Sequence, residues 1–209
     1  MKARLTIAVV VMFGVLVWTI NSLVFPHPSI YMIQNFEYLV QPNDITCGPT
    51  SVTMLLRRYG IKVSIDEVEA KTKTQWFWYD GQAVGMTSPE YIPIALKFFG
   101  VRATLKRGYL DRLKYYVAQD KPCVVLLRSG DYLWHYVVVI GYDKQSVFVA
   151  DPGSGQCEQI NNQAFEGAWG FTTDMRGEPV KSEWLTDVLR SAEVYPNSMV
   201  VPRIHIDSP

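Results

Sequence analysis

The stretch QPNDITCGPTS, residues 41–51, sets a glutamine six residues ahead of a cysteine. Gly48, Pro49 and the small polar residues after them are typical of the start of a helix, where proline is well tolerated. A helix N-terminus stabilises a thiolate, and a side-chain amide nearby can donate hydrogen bonds to a negatively charged oxygen. The stretch therefore predicts Cys47 as a nucleophile and Gln41 as a donor to an oxyanion.

The residues that follow predict a mainly helical first half of the body. Its helices are indicated by apolar residues at helical spacing between an N-terminal signal and a glycine stop. They are a helix from Cys47 to Gly60, a short helix opened by a Ser64 and Glu67 capping box, and a helix from the Ser88 N-cap and Pro89 to Gly100.

The second half of the body changes to the valine-rich runs that are typical of strands. The predicted elements are strands over residues 101–105, 123–127, 134–142 and 146–150, and a helix over residues 110–118. Short turns join the last three strands, which favours an antiparallel meander. Helices first and strands second predict an α+β fold with a helical half packed on an antiparallel sheet. Residues 184–192 have a helical pattern, and the end of the chain is not assigned.

His135 begins the longest predicted strand and is the candidate base for Cys47. A strand holds the ring rigidly, and a neutral imidazole can take the thiol proton to form a thiolate–imidazolium pair. Asp151 follows the next strand and lies at the same end of the sheet if the two strands are neighbours, where its carboxylate would orient the imidazole. Asp143 and Asp174 are the alternative acids, although Asp143 lies in the turn at the opposite strand end.

Each of these residues also has a purely structural interpretation. A single cysteine is often a small buried residue, a histidine on a strand is often a core residue with its hydrogen bonds satisfied, and Asp-Pro-Gly is usually a turn. The agreement between the glutamine-to-cysteine spacing, the helix start and the strand positions favours the catalytic interpretation. His27, beside the apolar N-terminal segment, and His205, in the tail, are not expected to act as the base.

The N-terminal segment contains no charged residue over positions 5–25. A helix of about 20 residues spans the roughly 30 Å hydrocarbon layer, so the segment predicts a single transmembrane anchor. A cleaved signal peptide is the alternative, but its apolar region is about 7 to 15 residues and ends in a small-residue cleavage site. Lys2 and Arg4 precede the segment, and this charge bias places the body outside the cytoplasm, in the periplasm or on the outer face. Residues 1–29 are assigned to the anchor and connector, and residues 30–209 to one globular body with an irregular C-terminal tail.

The composition indicates which partners and cofactors are not expected. Lys plus Arg and Asp plus Glu number 20 each, without a run of like charges, so we expect no nucleic-acid partner. The sequence contains neither a GxxxxGK[ST] loop nor a GxGxxG turn, so we expect no nucleotide. The three histidines are too far apart along the chain for a metal-ligand motif, and we expect neither a metal nor another cofactor.

The three cysteines leave two arrangements open. In an oxidising compartment a disulfide between Cys123 and Cys157 would leave Cys47 as the free thiol. Alternatively, Cys123 is a small buried core residue within the apolar run of residues 123–127, which we favour. The aromatic run at residues 76–79 is also open, either as the wall of a substrate groove or, as we favour, as a loop packed on the core.

Four sequence features, in this order, resemble the C39 peptidase family, the papain-like cysteine peptidases that cleave leader peptides after a double glycine. They are Gln41, CGPTS at residues 47–51, HYVVV at residues 135–139, and Asp-Pro at residues 151–152. The resemblance covers roughly residues 30–170. Members of that family are commonly fused to an ATP-driven exporter and face the cytoplasm. This chain differs, because it has one predicted span, no ATP site and a body that is expected outside.

The resemblance implies a papain-like fold and a role for each of the four site residues. These are Cys47 as nucleophile, His135 as base, Asp151 as orienting acid and Gln41 as oxyanion-hole donor. The implied function is a membrane-anchored cysteine peptidase that hydrolyses peptide bonds in a peptide or protein substrate. A thiol acyltransferase or amidase on the same fold is one alternative, since an amine can intercept the thioester. A non-catalytic peptide-binding domain is the other, although a pure binder has no need of the thiol.

Overall fold

The computed structural model describes residues 25–79, 82–130, 134–180 and 194–203. Across these ranges, no helix has the length and apolar character that a bilayer crossing requires. The predicted span over residues 5–25 lies outside the described residues except for Phe25, and the helical pattern at residues 184–192 lies outside them entirely. The membrane anchor therefore stays a prediction.

The described residues contain five helices, of which the first four were predicted from sequence and the fifth was not. They are α1 (Cys47–Arg58), α2 (Ile65–Thr72), α3 (Tyr91–Phe98), α4 (Leu110–Val117) and α5 (Asn162–Trp169). Helix α1 begins at Cys47 as predicted, and its stop at Gly60 has φ of +76°. The capping box of α2 is confirmed, because Glu67 N donates to Ser64 Oγ at 3.2 Å and Ser64 N donates to Glu67 Oε2 at 2.7 Å.

Helix α3 begins two residues later than its sequence signals predicted. Ser88 and Pro89 form a turn in which Tyr91 N donates to Ser88 O at 3.0 Å, and Glu90 precedes the first helical residue. A hydrogen bond to the third preceding residue is typical of a 3₁₀ turn, which is tighter than an α-helix. The N-cap position is therefore taken by Glu90, and the Ser88 side chain does not cap the helix. The predicted stop at Gly100 is confirmed by its φ of +89°.

The strands form one large antiparallel sheet and one separate hairpin. They are β1 (Tyr31–Met32), β2 (Gln75–Tyr79), β3 (Gln82–Met86), β4 (Ala103–Arg107), β5 (Cys123–Arg128), β6 (Trp134–Tyr142), β7 (Ser146–Asp151), β8 (Gln156–Asn161) and β9 (Ser198–Pro202). The large sheet has the order β4-β9-β5-β6-β7-β8, with β1 on the far end of β6. The antiparallel meander is confirmed and continues into β8, so the α+β fold class is confirmed as well.

Several strands were also missed or misassigned from sequence. Strand β9 enters the sheet between β4 and β5, although it comes from the unassigned end of the chain. Strand β4 lies two residues later than predicted. The aromatic run at residues 76–79 belongs to β2, which pairs with β3 as a hairpin, and is not a loop. Aromatic residues favour strands, and this preference was a stronger signal than the polar flanks.

Cys123 and Cys157 are free thiols, and the structure separates them by three strand positions. Cys123 lies on β5 and is fully buried, whereas Cys157 lies on β8 and is exposed. Three strand spacings amount to roughly 14 Å, well beyond the reach of a disulfide. The core interpretation of Cys123 is therefore correct, and the disulfide is not formed.

Candidate active site

Cys47 is the first residue of α1 and is 9% exposed. The helix end on which it lies packs closely against the sheet because the next residue is glycine. A Cβ at Gly48 would lie 3.0 Å from Thr87 Cβ and 3.3 Å from Tyr136 Cδ2. A larger side chain at this position would push the helix N-terminus, and Cys47 with it, away from β6.

Tyr136, one residue after His135, joins β6 by hydrogen bonds to α1 and to the segment between β3 and α3. Ser51 Oγ donates to Tyr136 O at 3.3 Å, and Tyr136 Oη donates to Thr87 O at 2.8 Å. Burial, with a smaller contribution from the nearby Cys47 sulfur, raises the pKa of Tyr136 well above its ordinary value. These contacts place the thiol beside the start of β6.

His135 and Asp151 meet at the end of the sheet that faces Cys47. His135 is the second residue of β6 and Asp151 is the last residue of β7. Their Nε2 and Oδ1 atoms are 2.6 Å apart, and both side chains are largely buried. Nδ1 of the ring is therefore the nitrogen that remains for the Cys47 sulfur.

A bulge in β6 explains why these two residues share a face of the sheet. Val139 pairs with Val149, but Gly141 pairs with Phe148, so Ile140 is an extra residue on β6. Beyond the bulge, the register places Asp151 opposite Val137, and His135 lies two residues along on the same face. Without the extra residue, every side chain of β7 near the site would be matched to the opposite face of β6.

The loop after β7 holds the Asp151 carboxylate in place. Gly153 N donates to Oδ1 at 2.6 Å, and Gly155 N donates to the Asp151 carbonyl oxygen at 2.8 Å. A Cβ at Gly153 would lie 3.1 Å from Oδ1 and 3.6 Å from the His135 ring, so the backbone covers the ion pair closely. Burial alone would raise the pKa of Asp151, but the hydrogen bonds from His135 and from the loop amides lower it. The carboxylate is therefore kept ionised.

The environment of His135 favours the imidazolium. Burial by itself would lower the pKa of His135, but the hydrogen bond to Asp151, together with the hydrogen bonding and charge of Cys47, raises it to about 9. The Cys47 side chain therefore lies near enough to the ring to affect its charge. This arrangement suits a thiolate–imidazolium pair that is oriented by a carboxylate.

Gln41 lies beside Asp151 and the loop that follows it, but its side-chain amide is engaged locally. Its backbone N donates to Pro152 O at 2.8 Å, which ties the loop before α1 to the loop after β7. Its side-chain Nε2 donates to Asn43 O at 2.9 Å, and its Oε1 is buried without a hydrogen-bond partner in the described structure. One Nε2 hydrogen remains for another acceptor.

Asn43 organises the loop before the helix and was not singled out from the sequence. Its carbonyl oxygen accepts from Gln41 Nε2 and from Thr46 Oγ1, the latter at 3.0 Å, and its Oδ1 accepts from Ile45 N at 3.1 Å. The signal that could have revealed it is the asparagine between Pro42 and the helix start, since asparagine side chains stabilise such turns.

Comparison with known sequences decides the family. The sequence model of the Peptidase_C39 like family matches residues 33–175, more than half of the chain. The chain belongs to the Peptidase_C39 like family. The resemblance that the sequence motifs indicated is thereby confirmed, and all four candidate site residues lie within the matched range. No curated protein matches the chain.

Two solved peptidase structures share this fold. A C39-like peptidase from Bacillus anthracis is 17% identical with a TM-score of 0.61, and the alignment covers 85% of this chain and 99% of that one. The peptidase domain of Streptococcus ComA, a bi-functional ABC transporter involved in quorum sensing, is 18% identical with a TM-score of 0.57, covering 80% and 98%. A double glycine motif protease from an AMS/PCAT transporter, in complex with the leader peptide, is 16% identical with a TM-score of 0.47, covering 82% and 96%.

The other candidate acids and histidines of this C39-like chain lie elsewhere. Asp143 accepts from Gln145 N and Ser146 N in the turn at the opposite end of β6 and β7. Asp174 is paired with Arg176 at 2.8 Å in the loop after α5. His27 Nε2 lies 3.7 Å from Asp111, and His205 falls outside the described residues. Within the described ranges, no three His, Cys, Asp or Glu side chains are grouped to hold a metal ion.

Proposed function

We propose that this chain is a membrane-anchored cysteine peptidase that hydrolyses peptide bonds through Cys47, His135 and Asp151, with Gln41 as an oxyanion-hole donor. The observation that carries the proposal is the 2.6 Å contact between His135 Nε2 and Asp151 Oδ1, made beside a cysteine at a helix N-terminus. Membership of a peptidase family supports the same reaction class.

The reaction begins with attack of the Cys47 thiolate on the carbonyl carbon of the peptide bond. A C–S bond forms and the carbonyl π electrons move onto oxygen. The His135 imidazolium then gives its proton to the departing amine as the C–N bond breaks, which leaves a thioester on Cys47. Neutral His135 next takes a proton from water, the resulting hydroxide attacks the thioester, and the thiolate leaves.

Two donors are available for the oxyanion of the tetrahedral intermediate. The Cys47 backbone N–H is free of intrahelical bonding because Cys47 is the first residue of α1. The second Nε2 hydrogen of Gln41 is the other donor, and its hydrogen bond to Asn43 O fixes the amide. Donors that are positioned before the reaction stabilise the developing charge without reorganisation.

Membrane anchoring rests on the sequence alone. The uncharged residues 5–25 have the length of a membrane span, and the basic residues before them place the body outside the cytoplasm. Extraction of cell membranes with alkaline carbonate tests the anchor. A spanning chain stays in the pellet, whereas release into the supernatant would contradict the anchor.

Incubation of the full chain, in neutral detergent micelles, with a mixed peptide library tests the peptidase proposal. The library includes peptides with and without paired glycines, and mass spectrometry reads the products. New termini that are absent with Cys47→Ala support hydrolysis. Adducts with an added amine in place of free carboxyl ends would support an acyltransferase instead, and peptide retention without any product would support the binding domain.

A further inference from the structure

A cavity of about 410 Å³ lies at the edge of the large sheet, at the opposite end of β5 from the neighbours of His135. Four of the side chains that line it are cationic, namely Arg102, Lys106, Lys121 and Arg203. The phenol of Tyr116 also lines it, and none of the lining residues carries a carboxylate. The chain as a whole has equal numbers of acidic and basic residues, so this concentration of positive charge is local.

The positive charges in the cavity are not neutralised by the described parts of the protein. Arg102 and Arg203 directly precede and follow the paired strands β4 and β9, and Arg203 N donates to Arg102 O at 2.6 Å. Like charges at opposed strand positions are destabilising. Among the described residues, none of the four cations forms an ion pair with a carboxylate.

Two neutral groups and one aromatic ring orient the lysines. Lys106 Nζ donates to Tyr116 Oη at 3.0 Å and lies 5.1 Å from the centre of the same ring. Lys121 Nζ donates to Gln119 Oε1 at 2.8 Å. Each ammonium group retains hydrogens for a further acceptor. A concave wall with charges of one sign focuses the field on a ligand of the opposite sign.

The position of Phe25 connects this cavity with the N-terminal segment. The Phe25 ring lies 5.3 Å from the ring of Tyr115 and beneath the Arg112 guanidinium on α4. The Tyr115 ring in turn contacts the Tyr116 ring at 5.5 Å, and Tyr116 lines the cavity. Phe25 is the last residue of the uncharged segment. The cavity is thus two aromatic contacts away from the point where that segment joins the body.

We propose that this cavity binds a phosphate group, and that the headgroup of an anionic phospholipid supplies it. Arginine and lysine are the side chains best suited to phosphate, and four of them converge here with a phenol. The phosphate site stands on the cavity alone. The choice of a lipid as the source rests on the membrane anchor of the proposed function.

Isothermal titration calorimetry on the full chain in neutral maltoside micelles tests the site. The probes are inorganic phosphate and dioctanoyl phosphatidylglycerol, with dioctanoyl phosphatidylcholine as the zwitterionic comparison. The variant is Arg102→Gln with Arg203→Gln, because both side chains are exposed and neither packs in the core. The control is Lys97→Gln with Lys144→Gln, which removes the same charge from exposed positions outside the cavity.

We expect phosphatidylglycerol to bind more tightly than phosphatidylcholine, and the arginine variant to lose at least about tenfold in affinity, the effect of one lost charged hydrogen bond. The lysine control should bind like the unchanged chain, and peptide cleavage should be the same in all three proteins. Equal binding by the arginine variant and the unchanged chain, or no binding of either anionic probe, would overturn the site.

The remaining outcomes separate the source of the phosphate from the proposed anchor. Inorganic phosphate that binds as tightly as phosphatidylglycerol, with both lost in the arginine variant, would retain the site and overturn the lipid source. Release of the chain by alkaline carbonate would contradict the anchor without changing the phosphate titration. Absence of peptide cleavage would contradict the proposed peptidase function of Cys47, His135 and Asp151, and would leave the phosphate site unchanged.

Discussion

Asp151 is matched to the face of β6 that carries His135 because Ile140 is inserted between Val139 and Gly141. The bulge lies between the β6–β7 turn and the site. It therefore changes the pairing of β6 with β7 only on the side that contains His135 and Asp151. Gly141 also lets β1 approach, since a Cβ there would lie 2.9 Å from Tyr31 O. The bulge region therefore does two things: Gly141 lets β1 pack closely, and Ile140 sets the face of β6 that Asp151 meets.

Deletion of Ile140 should place Asp151 on the wrong face and separate it from the imidazole. We expect a loss of about 10⁴-fold in kcat, the effect of disabling the orienting acid of a Ser-His-Asp triad. Ile140→Val keeps the bulge and should retain activity. Asp151→Asn provides the same test without a change in register, so activity that survives both changes would show that the pair is not needed.

Gln41→Ala should reduce kcat by about 10²- to 10³-fold, the typical effect of losing one oxyanion donor, with little change in KM. Gln34→Ala is a matched control, because Gln34 is exposed and also donates to a carbonyl two residues away, Met32 O at 3.0 Å. Steady-state kinetics on a cleaved peptide measure both. Equal activity of the two variants would remove Gln41 from the oxyanion hole.

Gly48→Val should displace the helix N-terminus, because even a Cβ at this position would lie 3.0 Å from Thr87 Oγ1 and Cβ. Overpacking of this kind costs about 1 to 3 kcal/mol of unfolding free energy. We expect a lower midpoint of urea unfolding and a lower kcat. Gly130→Ala is the control, since a Cβ there meets nothing within 4 Å. A Gly48→Val protein that matches the control in both measurements would contradict the close packing.

The stability contributed by His135 should depend on pH in a defined direction. Its pKa is raised to about 9 in the folded protein from an ordinary 6.5, so the fold favours the charged ring. This contribution is fully present below about pH 6.5 and is lost as the pH rises through about 9. The Asp151 pKa is lowered, so its contribution is present at neutral pH and is lost on acidification.

Urea unfolding at several pH values measures the effect of His135. The difference in unfolding free energy between the unchanged chain and His135→Gln should be largest near pH 6, fall as the pH rises from about 6.5 to about 9, and be lost above that. A difference that grows with pH would have the wrong sign.

Removal of the thiol by Cys47→Ala should lower the His135 pKa, because Cys47 contributes to its increase. NMR titration of the His135 ring proton measures this pKa in both proteins.

Much of the fold was accessible from local sequence signals. The start of α1 at Cys47, the capping box of Ser64 and Glu67, and the bounds of β6 followed from propensities that act within a few residues. Strand β9 did not follow, because its partners in β4 and β5 are distant along the chain and its five residues have no pattern of their own.

The candidate site shows the same division. The meander brings together the ends of β6 and β7, so the nearness of His135 and Asp151 could be predicted from the turn between the strands. The bulge at Ile140 could not, because a single extra residue leaves no mark in a valine-rich run. The local engagement of Gln41 by Asn43 also depends on loop geometry, which side-chain type alone does not specify.

The most direct measurement is the rate at which iodoacetamide alkylates Cys47, with Cys157→Ser present in every protein so that the exposed thiol does not react. Peptide mass mapping after timed reaction at pH 6.5 gives the rate. We predict fast alkylation in the unchanged protein and a large decrease with His135→Ala, because the imidazolium stabilises the reactive thiolate. Equal rates in the two proteins would contradict the thiolate–imidazolium pair, and with it the peptidase mechanism.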